Sequence, residues 1–426
     1  MTKDTGPRPF AGLDAGSERD ALYGDLYASD YIRPSLTRRS FLDRIAAGAL
    51  AASLAGLSTG ASAQSDDVVR IGYIPITDAT ALLVAHAKGF FKDEGLDAEP
   101  PTLIRGWAPL VEAFAANKLN LVHFLMPIPV WMRYNNGFPV KVVSWAHTNG
   151  SGLVVGKDTG ITSFADLGGK QVAVPFWYSM HNVVLQYAFR QSGVVPVIKA
   201  QGEPLAANEC NLQIMPPPDM PPALAAGKLD AYIVAEPFNA LGELRAGARM
   251  LRFTGDIWKN HPCCVVAMHE AATKEKQAWT QAVVNAVVRG AVYSSENKAE
   301  VAKLLSRDGA GYLPVPADVV SRAMLAYDEP AYFETGAIKH REWQNGRIDF
   351  QPWPYPSATK LMIEQMRETV VGGDASFLTK LDPDFVAKDL VDTTFVRAAL
   401  EKTPTWTNDP SVNAADPFNR EEVLAL

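Results

Sequence analysis

The chain has 426 residues and a formal net charge of −7, with 47% hydrophobic and 9% aromatic residues. This length is sufficient for two ordinary lobes, each with its own hydrophobic core. The sequence contains no basic stripe, which argues against nucleic acid as a partner, so an anionic ligand would have to be held by local groups rather than by overall charge.

An export signal is predicted near the N-terminus. The segment Thr37–Leu42 holds two adjacent arginines, and the mostly small or apolar run Ile45–Leu57 follows it. This pattern is typical of a twin-arginine signal, and Ala61–Ala63 fits a cleavage site that leaves Gln64 as the mature N-terminus. An amphipathic helix is disfavoured because the run lacks a polar face, and a membrane anchor would need roughly 20 apolar residues. We therefore expect residues 1–63 to be an extension and signal, and the protein to be periplasmic and soluble, without a lipid anchor.

The first part of lobe 1 is predicted over residues 64–155. A buried strand over 68–74 leads to a helix over 79–88, which Thr77 or Asp78 would cap. Strand–helix alternation then continues, which predicts a mostly parallel sheet with helices on both faces. The further predicted elements are strands at 98–104, 119–125, 140–145 and 153–156, a helix at 108–117 and a turn at 126–129.

Lobe 2 is predicted over residues 156–262. Its clearest helix begins at Ser179 and ends near Ser192, with Gly193 as the C-cap. The chain returns to lobe 1 over 263–345, where Gly290 permits close packing of a helix, and residues 346–426 form extra C-terminal helices and a tail. The other predicted elements are a short helix at 164–170, strands at 171–175, 231–235 and 265–268, and helices at 276–294, 317–327, 357–370 and 384–400.

Three cysteines are present, at Cys210, Cys263 and Cys264. An oxidising periplasm allows a disulfide, and a bridge from Cys210 to one of the other two is an alternative to the favoured interpretation, which is three buried thiols acting as small hydrophobes. A soft metal such as copper at the adjacent pair is a further alternative. No C-x-x-C spacing supports it, so neither a metal nor a cofactor is predicted.

Several segments carry a family resemblance. Four framework segments are Ala87–Leu96, Asp166–Pro175, Gly227–Ala231 and Ala235–Phe238, and three more specific ones are Val122–Pro129, Met215–Met220 and Thr254–Pro262. The framework segments resemble the periplasmic substrate-binding proteins of ABC importers in the nitrate, sulfonate, taurine and bicarbonate superfamily, and the specific ones resemble its nitrate/bicarbonate branch. The resemblance implies an α/β fold of two lobes (type II) and ligand capture by lobe closure. It also implies delivery to a membrane permease and its ATPase by a monomer that performs no catalysis.

The ligand site is expected between the lobes. A small planar anion needs hydrogen-bond donors from several directions, and helix N-termini supply N–H groups with partial positive charge. The resemblance assigns anion contacts to Trp107 and to His181, which when protonated is both donor and countercharge; a core tryptophan and an exposed histidine are the alternatives. Glu236 either faces the cleft or caps the following helix. The predicted ligand-binding residues are Trp107, Asn149, Ser151, Tyr178, His181, Glu236 and Cys263.

One motif departs from the branch. His261-Pro262-Cys263-Cys264 stands where the branch has His-Pro-Glu-Lys, which removes a positive charge and leaves open a ligand that is less charged, larger or sulfur-bearing. An enzyme of the desulfinase or thiamine-pyrimidine-synthase type is the alternative from another class. The desulfinase type needs an early cysteine nucleophile, where this chain has Ile76 and Thr77. A periplasmic ligand sensor is a third possibility with the same sequence pattern.

Overall fold

The computed structural model describes residues 67–403, 406 and 416–426. The predicted export signal and most of the predicted tail lie outside these residues. None of the helices in the described ranges combines the length and the apolar character that crossing a bilayer requires.

The described residues form strands and helices that alternate along most of the chain. The strands are β1 (Ile71–Tyr73), β2 (Thr102–Leu103), β3 (Leu121–Leu125), β4 (Val140–Trp145), β5 (Thr148–Asn149), β6 (Ser151–Val155), β7 (Gln171–Val174), β8 (Val195–Val197), β9 (Glu209–Ile214), β10 (Ala231–Ala235), β11 (Arg249–Phe253), β12 (Cys264–His269) and β13 (Ile348–Asp349). The helices are α1 (Thr80–Ala87), α2 (Phe90–Asp93), α3 (Trp107–Ala115), α4 (Pro127–Val130), α5 (Met180–Ser192), α6 (Met220–Ala225), α7 (Phe238–Arg245), α8 (Glu270–Glu275), α9 (Gln277–Glu296), α10 (Lys298–Leu305), α11 (Ala317–Leu325), α12 (Pro330–Glu334), α13 (Pro356–Arg367), α14 (Pro383–Asp389) and α15 (Thr394–Glu401).

The first lobe is built on a five-stranded sheet in the order β2-β1-β3-β12-β4. Strand β1 is parallel to β2 and β3, whereas β12 is antiparallel to both β3 and β4. The carboxyl ends of β1, β3 and β4 therefore share one edge of the sheet with the beginning of β12. This edge is where ligand sites form in open α/β sheets.

The second lobe is built on a six-stranded sheet in the order β11-β6-β10-β7-β9-β8. Strands β10, β7, β9 and β8 run parallel, while β6 is antiparallel to its neighbours β10 and β11. Strand β6 starts at Ser151, so the chain changes sheets a few residues before the expected boundary after residue 155. Helix α5 matches its prediction closely, because Ser179 Oγ accepts a hydrogen bond from Asn182 N (3.0 Å) and Gly193 adopts φ 72° beyond its last residue.

Two segments connect the lobes and pair with each other. In the first, Asn149 and Gly150 adopt positive φ angles of 58° and 72°. The backbone N–H of Asn149 donates to His261 O (3.0 Å), and Thr148 forms a bridge with Pro262 in the second segment. The C-terminal extension supports both segments, since β13 pairs with β5 and Asn345 Nδ2 donates to Gly255 O (2.6 Å).

The packing of one helix agrees with the sequence-based prediction, whereas two predicted elements differ from the structure. Gly290 in α9 lies against the backbone of Ala81 in α1, as the close-packing prediction required. The predicted turn at 126–129 is the helix α4, because prolines are tolerated in a first turn whose N–H groups have no partner within the helix. The predicted helix at 384–400 is divided into α14 and α15, because residues 390–392 leave the helix to hydrogen-bond with Val142 of β4.

Candidate ligand-binding site

Polar side chains from several elements converge at the carboxyl edge of the first-lobe sheet. Asp78 lies in a 3-10 turn just after β1, His147 follows β4, and Cys263 and Cys264 stand at the start of β12. We call these four residues the Cys-His-Asp cluster. Strand pairing explains the convergence, because Cys264 is opposite Leu125, the last residue of β3, and Val265 is opposite Trp145, the last residue of β4.

The cluster is compact and buried. His147 Nε2 lies 2.9 Å from Asp78 Oδ2, and both side chains have no solvent exposure. The thiol of Cys264 donates to the same carboxylate oxygen over 3.0 Å, and Cys263 Sγ lies 3.6 Å from it. The prediction that Thr77 or Asp78 caps helix α1 is wrong, because the helix has no side-chain cap. The carboxylate of Asp78 is directed into the cluster instead.

Electrostatics polarise the two thiols differently. Burial disfavours a charged imidazole, but the Asp78 carboxylate raises the pKa of His147 to about 10. Burial would raise the pKa of Cys263 too, but the hydrogen bond from Cys264 and the nearby imidazoles hold it well below its usual value. Burial and the neighbouring Cys263 sulfur raise the pKa of Cys264. Cys263 is therefore the more acidic of the two thiols, and Cys264 the less acidic.

The second lobe contributes two side chains that touch the cluster. Ser151, at the start of β6, has its Oγ 2.9 Å from His181 Nε2 and 3.6 Å from Cys263 Sγ. His181 Nε2 lies 3.9 Å from the same sulfur, and His181 is in the first turn of α5, behind the Ser179 cap. The structure thus brings together three of the predicted site residues, Ser151, His181 and Cys263.

Trp107 and His123 form a buried wall next to the cluster. Trp107 begins α3 and is 2% exposed, and its ring packs edge-on against His123 with centroids 5.5 Å apart. Burial is the main cause that lowers the pKa of His123 to about 3, so this imidazole is neutral. Its Nε2 accepts a hydrogen bond from Ile74 N over 3.0 Å. The indole N–H of Trp107 has no hydrogen-bond partner among the described residues, which leaves it available to a ligand.

Two predicted contacts are engaged elsewhere. The side chain of Asn149 donates to Asn260 Oδ1 (3.1 Å) within the paired crossing segments. The ring of Tyr178 stacks on Trp131, with centroids 5.6 Å apart, in an apolar region that also includes Phe377. Neither side chain is joined to the Cys-His-Asp cluster by a hydrogen bond among the described contacts.

Glu236 has a structural environment that explains its burial. Its Oε2 accepts from Ala240 N (3.0 Å), which is the capping role considered from the sequence. Its Oε1 lies 2.6 Å from an Nη atom of Arg347, and both side chains have no solvent exposure. The backbone oxygen of Glu236 also accepts from both N and Oγ1 of Thr77 (2.7 and 3.0 Å), which ties the end of β10 to the turn that carries Asp78.

The three cysteines are free thiols, and all are buried. The cysteines are therefore buried and unbridged as expected, and Cys210 lies in β9 of the other sheet, but the expectation that all three act as small hydrophobes is wrong for Cys263 and Cys264, which contact Asp78. Three members of the cluster had not been predicted as site residues: Asp78, His147 and Cys264. Their position in the sequence could have indicated them. Each lies near the point where a buried strand of the first lobe ends or begins, at the carboxyl edge of the sheet.

The sequence matches the NMT1-like family over residues 62–306, more than half of the chain. The chain belongs to this family. Among curated relatives, the nitrate/nitrite binding protein NrtA of Nostoc sp. strain PCC 7120 is 26% identical over 312 residues, covering 68% of this chain and 67% of that protein. The bicarbonate transport ATP-binding protein CmpC of Synechococcus elongatus is 26% identical over 281 residues, covering 62% of this chain, which spans only 41% of that longer protein.

Solved structures confirm the predicted fold class. The periplasmic nitrate-binding protein NrtA from Synechocystis PCC 6803 superimposes with a TM-score of 0.66 at 18% identity. The match covers 84% of this chain and 93% of that chain. At this identity the likeness concerns the fold, which is the two-lobe α/β architecture expected from the sequence.

Proposed function

We propose that this protein is the periplasmic substrate-binding component of an ABC importer. It captures a small anion such as nitrate or bicarbonate, or a related small organic ligand, between its lobes, and delivers it as a monomer to a membrane permease coupled to an ATPase. The observation that carries the proposal is the meeting of buried polar groups from both sheets, with Ser151 and His181 of the second lobe in contact with Cys263 of the first.

The family membership supports this role. Relatives that match over much of this chain are named as nitrate-binding proteins, and others are named as parts of bicarbonate import systems. The helix N-terminus behind Ser179, the unpartnered indole N–H of Trp107 and the ring of His181 together offer donors from different directions. Such an arrangement suits a small acceptor-rich ligand.

The mechanism that follows is closure about the two crossing segments. Ligand binding favours the closed form only through contacts that the open form lacks. In this protein, Ser151 and His181 of the second lobe supply those contacts, because they meet Cys263 of the first lobe. The paired segments around Asn149 and Pro262 join the two lobes and act as the hinge. No covalent step is required, and the side chains serve binding alone.

A melting-temperature panel tests the ligand class. Nitrate, nitrite, bicarbonate, cyanate, taurine, an alkanesulfonate and a pyrimidine would each be added to the purified protein at millimolar concentration. A ligand at about 100 times its Kd adds roughly 2.7 kcal/mol of stability, which raises the melting temperature measurably. A protein that responds to no compound in the panel would contradict the proposal.

Two variants test the site itself. His181→Ala and Trp107→Ala should each weaken binding of the active compound while leaving the far-ultraviolet circular dichroism unchanged. His340→Ala is the matched control, because His340 lies just before a 3-10 turn of the first-lobe return, stacked on Trp343, outside the cluster. Unchanged affinity in both site variants would reject the assignment.

The export route has its own test. Replacing both arginines of the predicted signal, Arg38 and Arg39, with lysine should retain the protein in the cytoplasmic fraction of the producing cells. Recovery of the variant from periplasmic extracts at the unmodified level would contradict the twin-arginine prediction.

A further inference from the structure

The Cys-His-Asp cluster has the composition of a metal site. We propose that Asp78, His147, Cys263 and Cys264 bind one Zn²⁺ ion at the base of the inter-lobe cleft. Each residue directs one donor atom inward, and these four atoms all lie within 4.8 Å of one another. Within the described ranges, no other set of three or more such side chains converges in this way.

The spacing of the donors fits tetrahedral coordination. Bonds of about 2.0–2.3 Å from a central zinc ion to oxygen, nitrogen and sulfur place neighbouring donors about 3.3–3.8 Å apart. In the cluster, Asp78 Oδ2 lies 2.9 Å from His147 Nε2, 3.0 Å from Cys264 Sγ and 3.6 Å from Cys263 Sγ. Because the four donor atoms all lie within 4.8 Å of one another, shifts of up to about 1 Å, within the range of a side-chain rotation, convert this hydrogen-bonded arrangement into a coordination shell.

The donor types select the ion. Two sulfur ligands disfavour Ca²⁺ and Mg²⁺, which bind through oxygen. The Asp78 carboxylate and the His147 imidazole then favour Zn²⁺ over copper(I), which prefers an all-sulfur environment. One carboxylate, one imidazole and two thiolates are all standard zinc ligands, and four protein ligands leave no coordination position open. The absence of a C-x-x-C spacing does not matter here, because the strand edge, not the local sequence, gathers the ligands.

The cluster also has unused bonding capacity. Asp78 Oδ1 and both ring nitrogens of His147 are fully buried and have no hydrogen-bond partner among the described residues, although His147 Nε2 lies 2.9 Å from Asp78 Oδ2. Buried polar atoms are otherwise almost always paired, so such atoms indicate a missing partner. A bound ion would use Asp78 and His147 directly, and a metal-bound imidazole polarises its second N–H toward a further acceptor.

The two lobes play different parts in this proposal. All four ligands lie on the first lobe, so it binds the ion by itself. Ser151 and His181 of the second lobe contact Cys263 from outside the shell, at 3.6 Å and 3.9 Å. Only the statement that the second lobe closes over the ion rests on the proposed function; the coordination does not.

The test measures metal stoichiometry and spectroscopy on the full protein. Protein dialysed against a chelator and reduced should take up one Zn²⁺ per chain in competition with a chromophoric chelator, and Co²⁺ should give a thiolate-to-cobalt charge-transfer band. Replacing Cys263 or Cys264 with alanine should abolish the band and weaken Zn²⁺ binding by more than about 100-fold, which exceeds the cost of losing an outer-shell partner. Cys210→Ala, which removes a buried thiol from the second lobe, should leave both readouts unchanged.

Further variants keep the test decisive if a cysteine variant fails to fold. Asp78→Asn preserves shape and should still weaken Zn²⁺ binding strongly, whereas His181→Ala, which removes only an outer contact, should weaken it by no more than about 100-fold. Absence of Zn²⁺ binding by the unmodified protein, or binding retained by Cys263→Ala/Cys264→Ala, overturns the inference. Zn²⁺ binding without any response to the anion panel would support the zinc site and reject the anion-binding function. An anion response without Zn²⁺ binding would support the anion-binding function and reject the zinc site.

Discussion

Replacement of Arg347 with methionine should destabilise the protein more than most single substitutions. Arg347 joins the C-terminal extension to the second lobe through ion pairs with Glu236 (2.6 Å) and Glu243 (2.8 Å). It also donates to Tyr332 Oη (2.9 Å) and to Ala326 O (3.1 Å). The side chains of Arg347 and Glu236 have no solvent exposure, so neither charge is hydrated in the folded protein.

The expected loss follows from what remains after the substitution. Methionine retains the apolar stem but leaves Glu236 buried without its countercharge, a change that costs about 3–5 kcal/mol. Glu243 is less affected, because Arg322 lies 3.2 Å from it and keeps part of its neutralisation. Since whole proteins are stable by about 5–15 kcal/mol, a loss of about 3–5 kcal/mol means that Arg347→Met should remove roughly a fifth or more of the free energy of unfolding.

Urea denaturation followed by circular dichroism measures this loss. The double variant Glu236→Gln/Arg347→Met should be more stable than Arg347→Met alone, because it contains no unpaired buried charge. The control is Arg341→Met, since Arg341 is exposed on a 3-10 turn of the same region and should change stability by less than about 0.5 kcal/mol. A loss below about 1 kcal/mol for Arg347→Met, or a double variant that is no more stable than it, would refute the reasoning.

Three further predictions concern stability. Gly290→Ala should cost about 1–2 kcal/mol, measured by urea denaturation, because its methyl group would collide with the backbone oxygen of Ala81 and overpacking outweighs the gain in helix propensity. Ser179→Ala should cost about 1 kcal/mol in the same assay, because it removes the cap of α5. The hydrogen bond from Arg133 lowers the pKa of Asp389 below its ordinary value of 3.8, so the stability it contributes is present above about pH 4 and is lost as the pH falls further. Asp389→Asn should therefore lower the melting temperature at pH 7, and this effect should become smaller as the pH is lowered below 3.8 towards pH 3.

Each of these has a matched control in the same element or region. Ser295→Ala on the exposed side of α9 and Ser192→Ala at the far end of α5 should change stability little. Asp384→Asn in α14 removes an exposed ion pair with Lys360 and should have little effect at either pH. Equal losses in a variant and its control, or an Asp389→Asn effect that does not depend on pH, would contradict the corresponding prediction.

Much of the fold could be predicted because short sequence patterns indicate individual strands and helices directly. The apolar run of β4, the Ser179 cap and the C-terminal Gly193 of α5 are short-range signals, and all three are found in the structure. The strands β8, β9 and β11 of the second lobe were not predicted. Strands β9 and β11 contain charged or polar residues, and β8 has only three residues with a proline at its centre. All three pair with neighbouring strands of the sheet, and the partner of β11 is distant in sequence.

The site could be predicted only in part, for a related reason. His181 and Cys263 carry chemistry that draws attention by residue type and position. The sequence pattern predicts Thr77 or Asp78 as a helix cap, because the rule for helix starts considers only the few residues that follow. His147 has no local pattern at all, since its role depends on β12 returning antiparallel between β3 and β4.

Two other site predictions depended on distant partners. The side chain of Asn149 is bound by Asn260, and that of Glu236 by Arg347, which lie 111 residues further along the chain in each case. No local pattern indicates these pairs. Buried polar residues near a cleft therefore need their distant partners identified before a ligand role is assigned to them.

The backbone around Cys263 and Cys264 is fixed independently of their side chains. The carbonyl of Cys263 accepts from Met126 N (2.9 Å), and that of Cys264 accepts from Ala146 N (3.0 Å), so both positions are held by main-chain hydrogen bonds to the neighbouring strands. Substitutions at these two positions therefore exchange the chemistry of the binding site while the sheet that presents it stays the same. A pair of thiols, or a carboxylate with an ammonium group, can occupy the same place, so in our proposal two adjacent codons, and not the architecture, specify the metal ion at the base of the cleft.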